Sequence, residues 1–459
     1  MTTPARSRGD DARRQVVVIA VAVAVLVAGI GVAATSVPTG TDDVSSSAPL
    51  DATDGLDRLH DAGVTGQNVS VGVVGVTGFD PDSDDLDGRV ADSRSFAAGE
   101  TIRNGGRNDH GTAAASLVAQ TAPGADLHLA SFDTADGFRD AVAWLVRNDV
   151  DVIVAPVSFY GKAGDGSSAV ARVASLAADH GVAFVAPVGN LGQGHWQGRF
   201  APTDRGVHGF DGGTRNHLLG DSRRLTLWLS WEECESPCEF SMELYRSDGP
   251  RSGETDGTDS RLVARSRPYP SDDTPNERIV ARIDPQATYY FVIRGSRNAT
   301  ATPIEASSPT HRFQFRERAG SVVAPATARD ALAVGAYDSQ RDRVEPFSSA
   351  GPLDDGRPGV DVVAPDRLRA AGEPGGLVGS SAAAPYAAGV VALVLDANPD
   401  LEPGDAETVL ERTARDVGRP GADLVVGDGL VAPRRAVERA RNITPNRAQS
   451  RVLAMDSYY

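Results

Sequence analysis

The sequence predicts an α/β protein, a parallel sheet with helices on both faces, interrupted by an inserted antiparallel β-sandwich domain. Two observations lead there. Apolar, β-branched runs alternate with helical patterns over residues 51–204 and again over 317–442, whereas residues 205–316 carry short alternating strands with no helical period. A length of 459 residues also asks for more than one domain.

In the first α/β stretch, residues 68–76 are a β-branched run, 112–120 a helix of small residues and 127–132 a second strand. A helix over 137–147, a strand over 150–157, a helix over 169–180 and an apolar strand over 182–188 follow. Strands apolar throughout and separated by helices suit a sheet buried on both faces. Ligands of such sheets sit beyond the C-terminal strand ends. The insert reads as strands over 225–231, 240–245, 261–265, 277–283, 288–294 and 312–315, parted by Asp-, Gly-, Ser- and Pro-rich loops, as in a small sandwich. The α/β pattern resumes with strands over 331–336 and 360–364 and helices over 385–397 and 403–413, before a polar tail over 443–459.

Composition narrows the function classes. With 41 % hydrophobic and 23 % charged residues the chain suits a packed globular protein rather than a disordered one. Sixty-two acidic against 45 basic side chains give a net charge of −17, which argues against a nucleic-acid partner, since that footprint needs clustered positive charge. Lys162 is the only lysine, a composition like that of haloarchaeal proteins. Two cysteines, Cys234 and Cys238, cannot build a four-ligand zinc site; in an exported segment they could close a small loop.

Residues 16–34 carry no charge, with Arg6, Arg8, Arg13 and Arg14 before them. Such a run is long enough to cross a bilayer, and the arginines hold residues 1–15 in the cytoplasm. The rest of the chain is then expected outside, either anchored to the membrane by residues 16–35 or secreted after signal cleavage, with 36–50 as a polar linker.

Three motifs carry chemistry: Asp109-His110-Gly111-Thr112 opens a helix, Pro187-Val188-Gly189-Asn190 ends a strand, and Gly379-Ser380-Ser381-Ala382-Ala383-Ala384-Pro385 leads into another helix. In that order, on that architecture, they resemble the His, Asn and Ser segments of the subtilisin-like serine peptidases, the subtilases. Phe347-Ser348-Ser349-Ala350-Gly351-Pro352, Asp361-Val362-Val363-Ala364-Pro365 and Ala331-Leu332-Ala333-Val334-Gly335-Ala336 extend the likeness.

The resemblance implies hydrolysis of peptide bonds. A serine hydroxyl is a weak nucleophile until a base takes its proton, so Ser381 would attack, His110 would act as base and then acid, and Asn190 would donate to the oxyanion. The implied partner is a peptide or protein substrate. The chemistry needs no cofactor; neither a calcium content nor an oligomeric state follows from the sequence.

One departure bears on activity. In this family the first strand ends in an aspartate followed by Thr-Gly or a similar turn, and that carboxylate orients the histidine. Here Gly75 is assigned the aspartate position, in Val73-Val74-Gly75-Val76-Thr77-Gly78, and no carboxylate replaces it. Two classes therefore stay open: a serine endopeptidase of reduced turnover, and a catalytically inactive pseudopeptidase acting as a peptide-binding or surface interaction module.

Overall fold

The computed structural model describes residues 55–444, apart from 100, 105–107, 235–237, 248–259, 270–273 and 371–372. The expected membrane segment at 16–35, the linker and the C-terminal tail lie outside the described residues.

Five strands open the main sheet: β1 (Ser70–Gly75), β2 (Val90–Phe96), β3 (Asp126–Phe132), β4 (Val152–Val154) and β5 (Ala183–Pro187). The sheet runs Arg343–Val344, Ala331–Asp338, β5, β4, β1, β3, β2, with Val362–Pro365 also pairing with Ala331–Asp338. β1 to β5 pair in parallel, as do Ala331–Asp338 with β5 and with Val362–Pro365.

Side chains that alternate along a strand point to opposite faces, and here both faces are buried. Val71 and Val73 join Leu127, Leu129, Val185 and the helices His110–Thr121 and Ser380–Ala397 on one side. Val74 and Val76 join Phe132, Ile153, Phe184 and the helices Ala135–Arg147 and Ala169–Asp179 on the other. Among the described residues one helix, Ser380–Ala397, is long and apolar enough to cross a membrane; its apolar surface is spent in the core, where it packs against the histidine helix. It starts before residue 385, the expected beginning, because Pro385 sits within the helix and not at its first position. Pro385 cannot donate to the Ser381 carbonyl, the partner that the helical pattern would give it.

Two five-stranded antiparallel sheets occupy the middle of the chain. Leu225, Leu227 and Leu229 from one and Met242, Leu244, Phe291 and Ile293 from the other share a single core. His195–Arg199, which precedes the boundary expected at residue 205, pairs with Pro303–Ser307 in this layer. The strand escaped notice because His-Trp-Gln-Gly-Arg has no apolar alternation, and it lies at the edge of its sheet. β2 was missed for the same reason: its charged sequence marks an exposed sheet edge. Cys234 and Cys238 form a disulfide.

Candidate active site

The serine side is built around two glycines. Gly379, just before the helix Ser380–Ala397, has φ 108° and ψ 179°, and a Cβ there would lie 2.7 Å from Asn190 Nδ2, so no other residue fits. Gly189, at φ 99°, brings the Asn190 turn against Val323, which a Cβ would meet at 2.7 Å. The Ser380 N–H and Oγ–H both donate to Asn190 Oδ1, at 3.1 Å each. With its oxygen held by two donors, the Asn190 amide keeps its N–H groups for another acceptor. Ser381 is the second residue of the helix and 9 % exposed. Its N–H belongs to the first turn, whose donors have no partner within the helix. Ser349 braces the same wall, its Oγ accepting from the Leu191 N–H at 3.0 Å and its N–H donating to the Gly189 carbonyl at 3.0 Å.

The histidine side differs. His110 is the first residue of the helix His110–Thr121 and 3 % exposed. Its Nε2 is buried and has no hydrogen-bond partner, Ser381 included. Burial pushes the imidazole down to about 4, so the ring is neutral at pH 7. The carboxylates of the loop after β1 and of the residue before the histidine are engaged elsewhere. Asp80 and Asp82 pair with Arg103, and Asp109 Oδ1 accepts from Asn104 Nδ2 at 2.8 Å.

The turn after β1 lies against the histidine helix. Thr77 Oγ1 accepts from the Gly111 N–H at 2.9 Å, and the Gly78 carbonyl crosses so close that a Cβ on Gly111 would meet it at 2.3 Å. A Cβ on Gly75 would stand 3.6 Å from Gly111 Cα, so position 75 faces that helix, whereas the Val76 side chain is buried on the other face of the sheet. The same Cβ would stand 2.9 Å from Cζ of Phe79, a fully buried ring. Neither Gly75 nor Val76 supplies a carboxylate. Among the described residues no group of three or more His, Cys, Asp or Glu side chains is arranged to hold a metal ion.

Comparison with known proteins bears on the two sides unequally. Residues 297–429 match the Subtilase family of peptidases; this segment holds Ser381 but neither Asn190 nor His110. The match covers less than a third of the chain. The chain is also similar to M-protease of Shouchella clausii, 37 % identical over 117 residues, which cover 25 % of this chain and 28 % of that protein. The serine protease AprX of Bacillus subtilis is 30 % identical over 115 residues, 20 % of this chain and 26 % of AprX. The chain thus spans about a quarter of the length of the curated relatives it matches. The structure of the Clostridium perfringens CspB protease superposes with a TM-score of 0.58 at 16 % identity, covering 85 % of this chain and 97 % of that one. At that identity the likeness establishes a shared fold, the subtilisin-like one.

Proposed function

We propose that the chain is a serine endopeptidase of low turnover, with Ser381 as nucleophile, His110 as general base and the Asn190 amide with the Ser381 N–H as oxyanion donors. The observation that carries this reading is the double hydrogen bond from Ser380 to Asn190 Oδ1, which fixes the oxyanion donor beside the nucleophile before any substrate binds. Preorganised donors of this kind supply roughly 3–4 kcal/mol of the barrier each. Loss of the carboxylate behind the histidine lowers turnover by about 10⁴ yet leaves acceleration over water, so the reading is of a slow enzyme.

The same reading places the molecule outside the cytoplasm, held by residues 16–35 or released after cleavage. The Cys234–Cys238 disulfide supports an oxidising compartment, and the acidic, lysine-poor composition supports a high-salt one of haloarchaeal type. The second reading, a peptide-binding module without turnover, is favoured by the unpartnered His110 Nε2 and by Gly75, which supplies no carboxylate.

A fluorophosphonate probe separates the two. It reacts by forming a bond from Ser Oγ to phosphorus as fluoride leaves, with the hydroxyl proton passing to the base. Labelling at Ser381, lost in Ser381→Ala and slowed in His110→Ala, is the expected result; a correctly folded protein that is never labelled gives the binding module the lead.

A further inference from the structure

Behind the turn that presents Ser381 lies a buried group of acids that the reaction itself does not use. Asp366 follows the strand Val362–Pro365 and is fully buried. The Gly379 N–H points at it twice, 3.2 Å from its carbonyl oxygen and 3.3 Å from Oδ2. Oδ1 has no partner. Asp338 is also fully buried and Glu345 is 3 % exposed. Two guanidiniums reach these acids: Arg341 Nη1 donates to Asp338 Oδ2 at 3.0 Å, and Arg367 Nε donates to Glu345 Oε1 at 2.9 Å and stands 3.8 Å from Asp338 Oδ2. Arg318, the remaining cation against Glu345, spends its N–H groups on the Glu345 and Ser348 carbonyls.

Three carboxyl groups thus face two guanidiniums, and neither guanidinium is bonded to Asp366. A negative charge on Asp366 would have no bonded guanidinium to offset its burial, which is costly. Burial, with Glu345 the next cause and Asp338 adding to it, raises its carboxyl well above the usual carboxylate range, although Arg367 and the Gly379 N–H pull the other way.

We propose that Asp366 is a positioning residue for the nucleophile turn: protonated at neutral pH it rests under Gly379, and on losing its proton it moves toward solvent and releases the turn that holds Ser381. This rests on reading Ser381 as the nucleophile and adds an alkaline control to it. Asn190 holds the turn through Ser380, while Asp366 holds it through the adjacent Gly379.

The test compares fluorophosphonate labelling of the wild type and Asp366→Asn, a neutral side chain of the same shape, from pH 6 to 10. The wild-type rate should fall at least about tenfold below that of the variant on the alkaline side; superimposable profiles overturn the proposal. Should Asp366→Asn fail to fold, Glu345→Gln takes its place. Removing a neighbouring negative charge eases ionisation of Asp366, so its alkaline limb should move to lower pH, and an unmoved limb counts against the proposal. If Ser381 is never labelled the peptidase reading fails, and Asp366 is then judged by hydrogen exchange at the Gly379 amide. After correction for the intrinsic pH dependence of exchange, protection should drop on the alkaline side in wild type and hold in the variant; equal protection overturns the proposal.

Discussion

On one wall of the candidate site Asn190 Oδ1 takes two hydrogen bonds from Ser380, and Gly379 leaves room for it. On the other, His110 Nε2 has no partner and Gly75, at the end of β1 facing the histidine helix, carries no carboxylate. Ser381 also lies within the segment that matches the subtilase family, while His110 lies outside it. Stabilising an oxyanion and activating a hydroxyl are separable tasks, and on the proposed reading the parts for the first are the more complete.

The largest test of that contrast restores the missing charge. Gly75→Asp should raise kcat/KM on a fluorogenic peptide by at least about tenfold, the ceiling being the roughly 10⁴ that such a carboxylate contributes in serine peptidases. Its Cβ would press on the Phe79 ring at 2.9 Å, overpacking that costs about 1–3 kcal/mol, so the gain should come with a lower melting temperature. Val76→Asp should bring no gain, because its side chain is buried on the face of the sheet away from the histidine helix. A rate gain in Val76→Asp without one in Gly75→Asp would move the aspartate position to Val76.

A second variant tests the intact wall. Asn190→Ala should lower kcat by about 10²–10³, the usual loss of one oxyanion donor, with KM little changed because the contact strengthens only as the oxyanion forms. If Asn190→Ala matches wild-type kcat, the Ser380–Asn190 arrangement is a structural brace, and the asymmetry between the walls disappears.

How these features stood in the sequence explains which were read well. Gly379, Asn190 and Ser381 lie in short segments whose residue types are set by local contact, such as the Cβ that Asn190 forbids at position 379. The parallel sheet was equally plain, because its strands are apolar on both faces. The end of β1 was less plain: Val73-Val74-Gly75-Val76 offers no polar residue to mark the register, and the approach of a Gly75 Cβ to within 3.6 Å of Gly111 Cα is what sets position 75 on the histidine side. Asp338, Glu345 and Asp366 were missed for a related reason: acids are ordinarily exposed, and nothing in their spacing announces that three of them are buried together.

The smallest expected effect is a displacement along the pH axis, and it isolates the histidine side. Only neutral imidazole accepts the Ser381 proton. Since burial holds His110 down to about 4, wild-type activity should rise as pH climbs through about 4 and then stay level into the neutral range. An aspartate introduced at Gly75 favours imidazolium, and an opposite charge at close range moves such a group by about 1–3 units. The acidic limb of Gly75→Asp should therefore shift upward by that amount, toward the ordinary histidine value, even as the plateau rises. The two effects share one cause, the stabilised imidazolium of the transition state, so they should appear together. A plateau that rises with an unmoved acidic limb would mean that the new carboxylate acts on something other than His110, and the weakness would then lie elsewhere than in the unsupported base.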